Sequence, residues 1–367
     1  MSVIARTYSQ QAAIPVDELL FSADSHVIEP ALLWKRELPA SLRDRAPDYG
    51  GRRGGDHPGA MEKADRVNEM AQDGVSGEIL FPTHGLRLLS LEDKELQEAS
   101  VRVYNDWLID YCGAAPERMI GLGLLSVYDV EKAALEMERC RDAGLRGVTL
   151  WQVPHPDLPF SSGHYDRLWA SAEELAMPVN LHILSGFGYS ANRRDPRTAG
   201  LDRHRNSVNH KITQVMDVLY DLIFSSVFER FPQLKIVLAE SEVGWLPFVL
   251  EQWDYYHERH GATHPESKLR LAPSEYFHRQ VYVTFFNDSV GGRALSWWGH
   301  ENCLWSSDYP HGNSTWPHSR EVVARDLGHI PADVRSKLVR ENVARLYGIA
   351  LPTPVHSTAS EPASWLD

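Results

Sequence analysis

The sequence predicts an α/β chain, a (β/α)8 TIM barrel with an insertion after the first strand and extra helices at the C-terminal end. Three observations carry this. Short apolar runs alternate with amphipathic stretches along most of the 367 residues. Eight such runs can be counted, each followed by a helical pattern, as a parallel barrel requires. Three of the runs end in metal-type ligands: Asp24-Ser25-His26, His182 and Asp308. Buried parallel strands read as short apolar runs, and in a barrel their C-terminal ends converge on one mouth.

The elements follow in order. Residues 1–17 read as an N-terminal arm, and the first strand runs over 18–24. An insertion near 36–60, rich in Gly, Arg, Asp and Pro, comes next. A helix over 61–73 leads to a strand at 78–82, and a helix over 93–113 to one at 119–123. The helix over 129–143 ends at Gly144, a residue type that favours helix C-termini, and leads to 147–151. The 164–176 helix leads to 177–181 and His182. A long helix over 207–230 precedes 234–239. A helix over 244–259 precedes 280–285, and a short one over 290–299 precedes 303–307 and Asp308. Helices over 319–327 and 331–347 close a barrel unit of 18–348. A tail rich in Pro, 349–367, follows.

Composition narrows the function class. The chain is 43% hydrophobic and 24% charged, which is enough apolar material for a large core. A net charge of −13 argues against nucleic acid or an anionic membrane as partner. It leaves a small, anionic substrate open, because local arginines can override the global field. Cys112, Cys140 and Cys303 are widely spaced, so neither a disulfide framework nor a thiolate metal site is expected. No run approaches the ~18 apolar residues of a membrane span. Residues 1–15 lack the apolar stretch of a secretory signal. A cytoplasmic homodimer is the expected setting.

Asp24 and His26 are two apart on a strand, so both side chains face one way, into the mouth of a barrel. With His182, Glu240 and Asp308 they make a candidate set of three carboxylates and two imidazoles. Such a set suits Zn, Mn or Fe, as one or two ions. His311, three residues past Asp308, can polarise a carbonyl or shuttle a proton. Glu29 either orders the first loop or joins the metal, with the structural role favoured. His84 and Arg87 follow the second strand, where Arg87 can pair with a substrate carboxylate. The loop from Ser185 to Arg205 carries Arg193, Arg194, Arg197, Arg203 and Arg205, and reads as an anion-binding lid or as solvated surface. Trp151, Phe187, Tyr189, Trp305 and Trp316 lie at or near strand ends and suggest an aromatic pocket, with Trp305 the best candidate for plain packing.

Six stretches carry a family resemblance: 23–30 (ADSHVIEP), 105–108 (NDWL), 144–147 (GLRG), Leu181-His182, 307–311 (SDYPH) and 341–348 (ENVARLYG). Taken in order and at barrel spacing, they resemble the amidohydrolase-related branch of the amidohydrolase superfamily. That branch includes aminocarboxymuconate-semialdehyde decarboxylase-like enzymes, and the resemblance spans roughly 20–348. It implies metal ligands at the ends of strands one, five and eight, with the strand-eight Asp also moving a proton. The chain departs from the family pattern at Asp24, where His is usual, and at Glu240, where many relatives carry His. It also has no Lys at the end of strand four. The resemblance implies a metal-dependent hydrolase or non-oxidative decarboxylase of a small, cyclic carboxylated compound. The carboxylate-rich departures raise an alternative, an oxygen-activating non-haem di-iron monooxygenase on the same barrel.

Overall fold

The computed structural model describes residues 16–49, 57–187, 209, 211–261 and 269–351. Eight parallel strands are ordered β1 to β8 around a single sheet. They are β1 Leu20–Val27, β2 Val75–Pro82, β3 Met119–Leu124, β4 Gly147–Val153, β5 Val179–Gly186, β6 Ile236–Ala239, β7 Val281–Phe285 and β8 Cys303–Trp305. Helices link them, giving the expected (β/α)8 barrel.

Between the barrel wall and the helices runs a continuous apolar layer that includes Leu80, Leu108, Met137, Leu150, Leu168, Leu219, Leu250 and Phe277. Inside the barrel, Phe21, Ile79, Ile120, Leu122, Val237 and Leu304 fill the lower half, joined by Val343 and Tyr347. The Tyr347 hydroxyl donates to Asn180 Oδ1 at 2.6 Å, so the C-terminal helix stoppers the floor. Polar chemistry is thereby confined to the mouth.

The seam between β8 and β1 is built differently from the other seven joints. Backbone bonds there come from the segment after β8: Asp308 N–H donates to the Asp24 carbonyl (2.9 Å), and His26 N–H to the Tyr309 carbonyl (2.6 Å). Hydroxyls complete the joint, with Ser25 Oγ 3.0 Å from Ser307 Oγ and Ser307 N–H donating to Ser22 Oγ at 2.8 Å. On its other side β1 shifts register against β2 between Ser22 and Ser25. Such a bulge re-aims side chains, and it lies at Asp24.

Several boundaries differ from the sequence reading, each for a local reason. His26 and His182 lie within β1 and β5 rather than just past the expected strands. The helix expected over 207–230 is divided into Lys211–Phe224 and Val227–Arg230 at Ser226, whose φ is +62°. An unexpected helix, Pro273–Gln280, precedes β7. Proline suits a first helical position, and the Glu275 carboxylate accepts the Ala272 N–H at 2.8 Å. The last helix is three pieces: Ala332–Ser336, a π turn at Lys337–Glu341 and Asn342–Tyr347. Tyr189, the five loop arginines and most of the arm and tail lie outside the described residues. No helix among the described residues is long and apolar enough to cross a membrane.

Candidate metal centre

Four side chains from three strand ends meet at the mouth, all buried. His26 Nε2 is 3.2 Å from His182 Nε2, 3.4 Å from Asp24 Oδ1 and 3.6 Å from Asp308 Oδ1. His182 Nε2 is 3.8 Å from Asp24 Oδ1. Two overlapping groups have ligand atoms within 4.8 Å of one another: Asp24, His26 and His182, and His26, Asp308 and His311.

The backbone sets which nitrogen each imidazole presents. His26 Nδ1 is 2.9 Å from the Pro82 carbonyl, and His182 Nδ1 is 2.8 Å from the Ile183 carbonyl. Each Nδ1–H therefore donates outward and turns Nε2 inward. Two neutral rings held this way bring two lone pairs face to face, which a proton or a cation between them must relieve. Among the described residues, Asp24 Oδ1 and Asp308 Oδ2 are buried without hydrogen-bond partners. With metal–ligand bonds of about 2.1 Å, neighbouring ligand atoms fall about 3 to 3.5 Å apart, close to the spacing found here. The donor set fits a divalent cation.

Electrostatics divide the two imidazoles. Burial, then His311 and His182, lowers His26 well below the usual histidine value. Burial also opposes charge on His182, but the neighbouring Asp24 carboxylate, and then Glu240, outweigh it and raise it to about 9. Burial pushes Asp308 up to about 7 against the pull of His311. Asp308 sits in the left-handed backbone region (φ +56°), as does Glu240 (φ +55°). For residues other than glycine that conformation costs about 1 kcal/mol, and here it turns both carboxylates toward the mouth.

His311 Nδ1 is 2.8 Å from Asp308 Oδ1, and its ring lies 4.1 Å from that of His26. Thr83 Oγ1 approaches His311 Nε2 at 3.4 Å. Glu240 Oε2 is 3.8 Å from His182 Nε2, but Oε1 pairs with Lys211 Nζ at 3.1 Å. Glu240 belongs to neither ligand group among the described residues.

The aromatic residues form a wall beside His182. Trp151 pairs in register with His182. Its indole N–H donates to the Tyr165 hydroxyl at 3.0 Å, and its ring meets Tyr128 edge-on. His155 links Tyr128 to Phe187. His84 stacks on Tyr49, and the Arg87 guanidinium lies 5.3 Å from the centre of the same ring. Trp305 is core packing, and Trp316 packs on His57 and Tyr309, away from the ligands.

Sequence reasoning missed three contributors. Thr284 donates to Asp24 Oδ2 (3.1 Å) and accepts the Glu240 N–H (2.7 Å), so one hydroxyl fixes two carboxylate-bearing segments. Phe81 packs against both His26 and His182. Lys211 is the third. Behind the site, buried Arg66 pairs with Glu78 (2.6 Å) and donates to the His26 carbonyl (2.7 Å). A groove of about 880 Å³ lies outside the barrel, between the Lys94–Cys112 and Val130–Asp142 helices. It holds none of the ligands, and surface ion pairs such as Lys132 with Glu98 line it.

Glu29 proves structural: its two carboxylate oxygens accept the His84 and Gly85 N–H groups at 2.9 and 2.8 Å. Burial outweighs these bonds and raises it to about 7 from 4.5. A carboxyl raised on folding binds more protons in the folded state. Its contribution is therefore complete below the unfolded value near 4.5 and lost as pH rises through about 7. Between those limits the parent should lose about 3 kcal/mol that Glu29→Gln does not lose. Urea denaturation of both proteins at the two ends of the window checks this, and parallel slopes would refute it.

The family model described as amidohydrolase matches residues 24–349, nearly the whole described barrel. The chain belongs to the amidohydrolase family. Among curated amidohydrolase relatives, a gamma-resorcylate decarboxylase of Polaromonas sp. is 24% identical over 257 residues, covering 68% of this chain and 77% of that protein. Among solved structures, the 5-carboxyvanillate decarboxylase of Sphingomonas paucimobilis superposes with a TM-score of 0.68 at 24% identity, covering 91% of this chain and all of that one. A dihydroxybenzoic acid decarboxylase of Polaromonas sp., solved with manganese and the inhibitor 2-nitroresorcinol, gives a TM-score of 0.65 at 20% identity. It covers 90% of this chain and 97% of that one. The di-iron alternative finds no support: the relatives are decarboxylases, and Glu240, the carboxylate it needs between two ions, is taken by Lys211.

Proposed function

We propose that this amidohydrolase is a metal-dependent, non-oxidative decarboxylase of a small hydroxylated aromatic carboxylate. The observation that carries the reading is the acid–imidazole pair of buried Asp308 and half-buried His311 beside the ligand cluster. The decarboxylases among its relatives support it. Asp24, His26, His182 and Asp308 would hold one divalent ion, manganese(II), zinc(II) or iron(II). When bound, such an ion supplies the positive charge that holds the substrate carboxylate and a neighbouring ring hydroxyl.

The chain's own residues do the rest. Burial opposes charge on His311, but the bond to Asp308 and the Asp308 charge outweigh it and raise it above the usual histidine value, so the pair can hold a proton near neutrality. The Asp308–His311 pair delivers that proton to the ring carbon bearing the carboxylate. A C–H bond forms, the C–C bond to the carboxylate breaks, and its electron pair restores the aromatic ring as CO2 leaves. His311, whose side chain is 24% exposed, recovers a proton from solvent. Trp151 and Phe187, with Tyr128 and His155 between them, flank the ring, and His84 with Arg87 lies toward its far side.

Incubating manganese-loaded protein with ortho-hydroxybenzoates in D2O tests the reading. CO2 release with one deuterium at the vacated carbon is expected, without oxygen uptake. Hydrolysis of an ester or amide with no CO2 from any aromatic carboxylate would replace it by the hydrolase reading. Light scattering on the same sample gives the mass of the homodimer that belongs to this proposal. Phe248 and Tyr255, seven residues apart on one exposed helix face, are the apolar surface that supports a dimer.

A further inference from the structure

Lys211 lies on the Lys211–Phe224 helix, yet its side chain is only 18% exposed. The ammonium lies 3.1 Å from Glu240 Oε1 and 5.6 Å from the centre of the Phe286 ring. The other Glu240 oxygen faces His182 Nε2 at 3.8 Å. One carboxylate is thus shared between a ligand imidazole and a lysine. Burial disfavours the charge on Lys211, but Glu240 first, then Glu242 and Asp308, outweigh it. Glu240 is the carboxylate in direct contact with the ammonium.

We propose that the Lys211 ammonium is the fixed second cation of this centre, engaging Glu240 and so limiting the site to a single divalent ion. The proposal rests on the metal-dependent reading above. Paired metal ions sit about 3.5–4 Å apart, and two such charges repel strongly unless an anion lies between them. Glu240 is the carboxylate placed to supply that anion, since it faces His182. Its single negative charge is already matched by Lys211. Removing the ammonium leaves Glu240 uncompensated beside His182, in a mouth where Asp308 Oδ2 is buried with no hydrogen-bond partner among the described residues. Oxygen ligands of that kind favour a hard divalent ion.

The test is elemental analysis after equilibration with excess manganese(II) and removal of free metal, with circular dichroism to confirm folding. The parent should carry about one ion per chain. Lys211→Ala should carry about two, the second titrating more weakly. Lys211→Arg, which keeps the charge, should stay at one. Adding Glu240→Gln to Lys211→Ala should return the count to one. If the alanine variant does not fold, Lys211→Gln, neutral and of similar reach, gives the same reading. Two ions in the parent, or one ion in a folded, neutral Lys211 variant, would overturn the proposal alone. No ion in the parent would overturn it together with the metal-dependent reading.

Discussion

Replacing Asp24 and His26 together by alanine is expected to give a folded protein that retains no divalent ion and no turnover. The two residues supply half of the four-residue donor set, and His26 Nε2 is the atom nearest all the others. Losing a partner that only orients a ligand costs about 10–100-fold in affinity, so losing two ligands should exceed that. The fold should survive, because the apolar layer around the barrel wall includes neither residue. Metal content by elemental analysis and the far-ultraviolet circular dichroism spectrum are the two measurements. Equal metal in variant and parent would remove the centre from this part of the barrel.

Asp308→Asn should separate holding a metal from moving a proton. Asparagine keeps the size and one oxygen ligand but cannot carry the acid proton. Metal content should fall modestly while kcat drops about 10²- to 10⁴-fold, the usual worth of positioned acid–base catalysis. The left-handed backbone at Asp308 is tolerated by Asn as well as by Asp, so the loss should not come from misfolding. Turnover near the parental level with metal retained would leave Asp308 a ligand or a structural residue.

The metal cluster was legible because strand periodicity is local. Asp24, His26, His182 and Asp308 each end or interrupt an apolar run, and eight such runs in alternation name a barrel. The contacts that complete the site were not legible, because they join distant segments. Thr284 reaches Asp24 across 260 residues, and nothing in the Val-Thr-Phe of its own strand distinguishes it from a core threonine. Lys211 stands among ordinary helix residues, and only the turn after β6 brings Glu240 to it. The Pro273–Gln280 helix was missed because it is only eight residues long, although Pro273, Tyr276, Phe277 and Gln280 are buried at helical spacing. The break at Ser226 was hidden inside an apolar pattern that continues on both sides of it.

The joint between β1 and β8 has a consequence for how the protein comes into being. Asp24 leaves the ribosome long before Asp308, and the hydroxyls of Ser25 and Ser307 that knit them are 282 positions apart. Contacts so far apart in sequence carry a high loop-closure cost and form late. A nascent chain can therefore pair β1 through β7 while its ligand set is still missing a member. Capture of the ion then reports closure of the barrel. A chain stopped before β8 should be a partial barrel with an exposed β7 edge, open to aggregation or proteolysis, and with no residual activity.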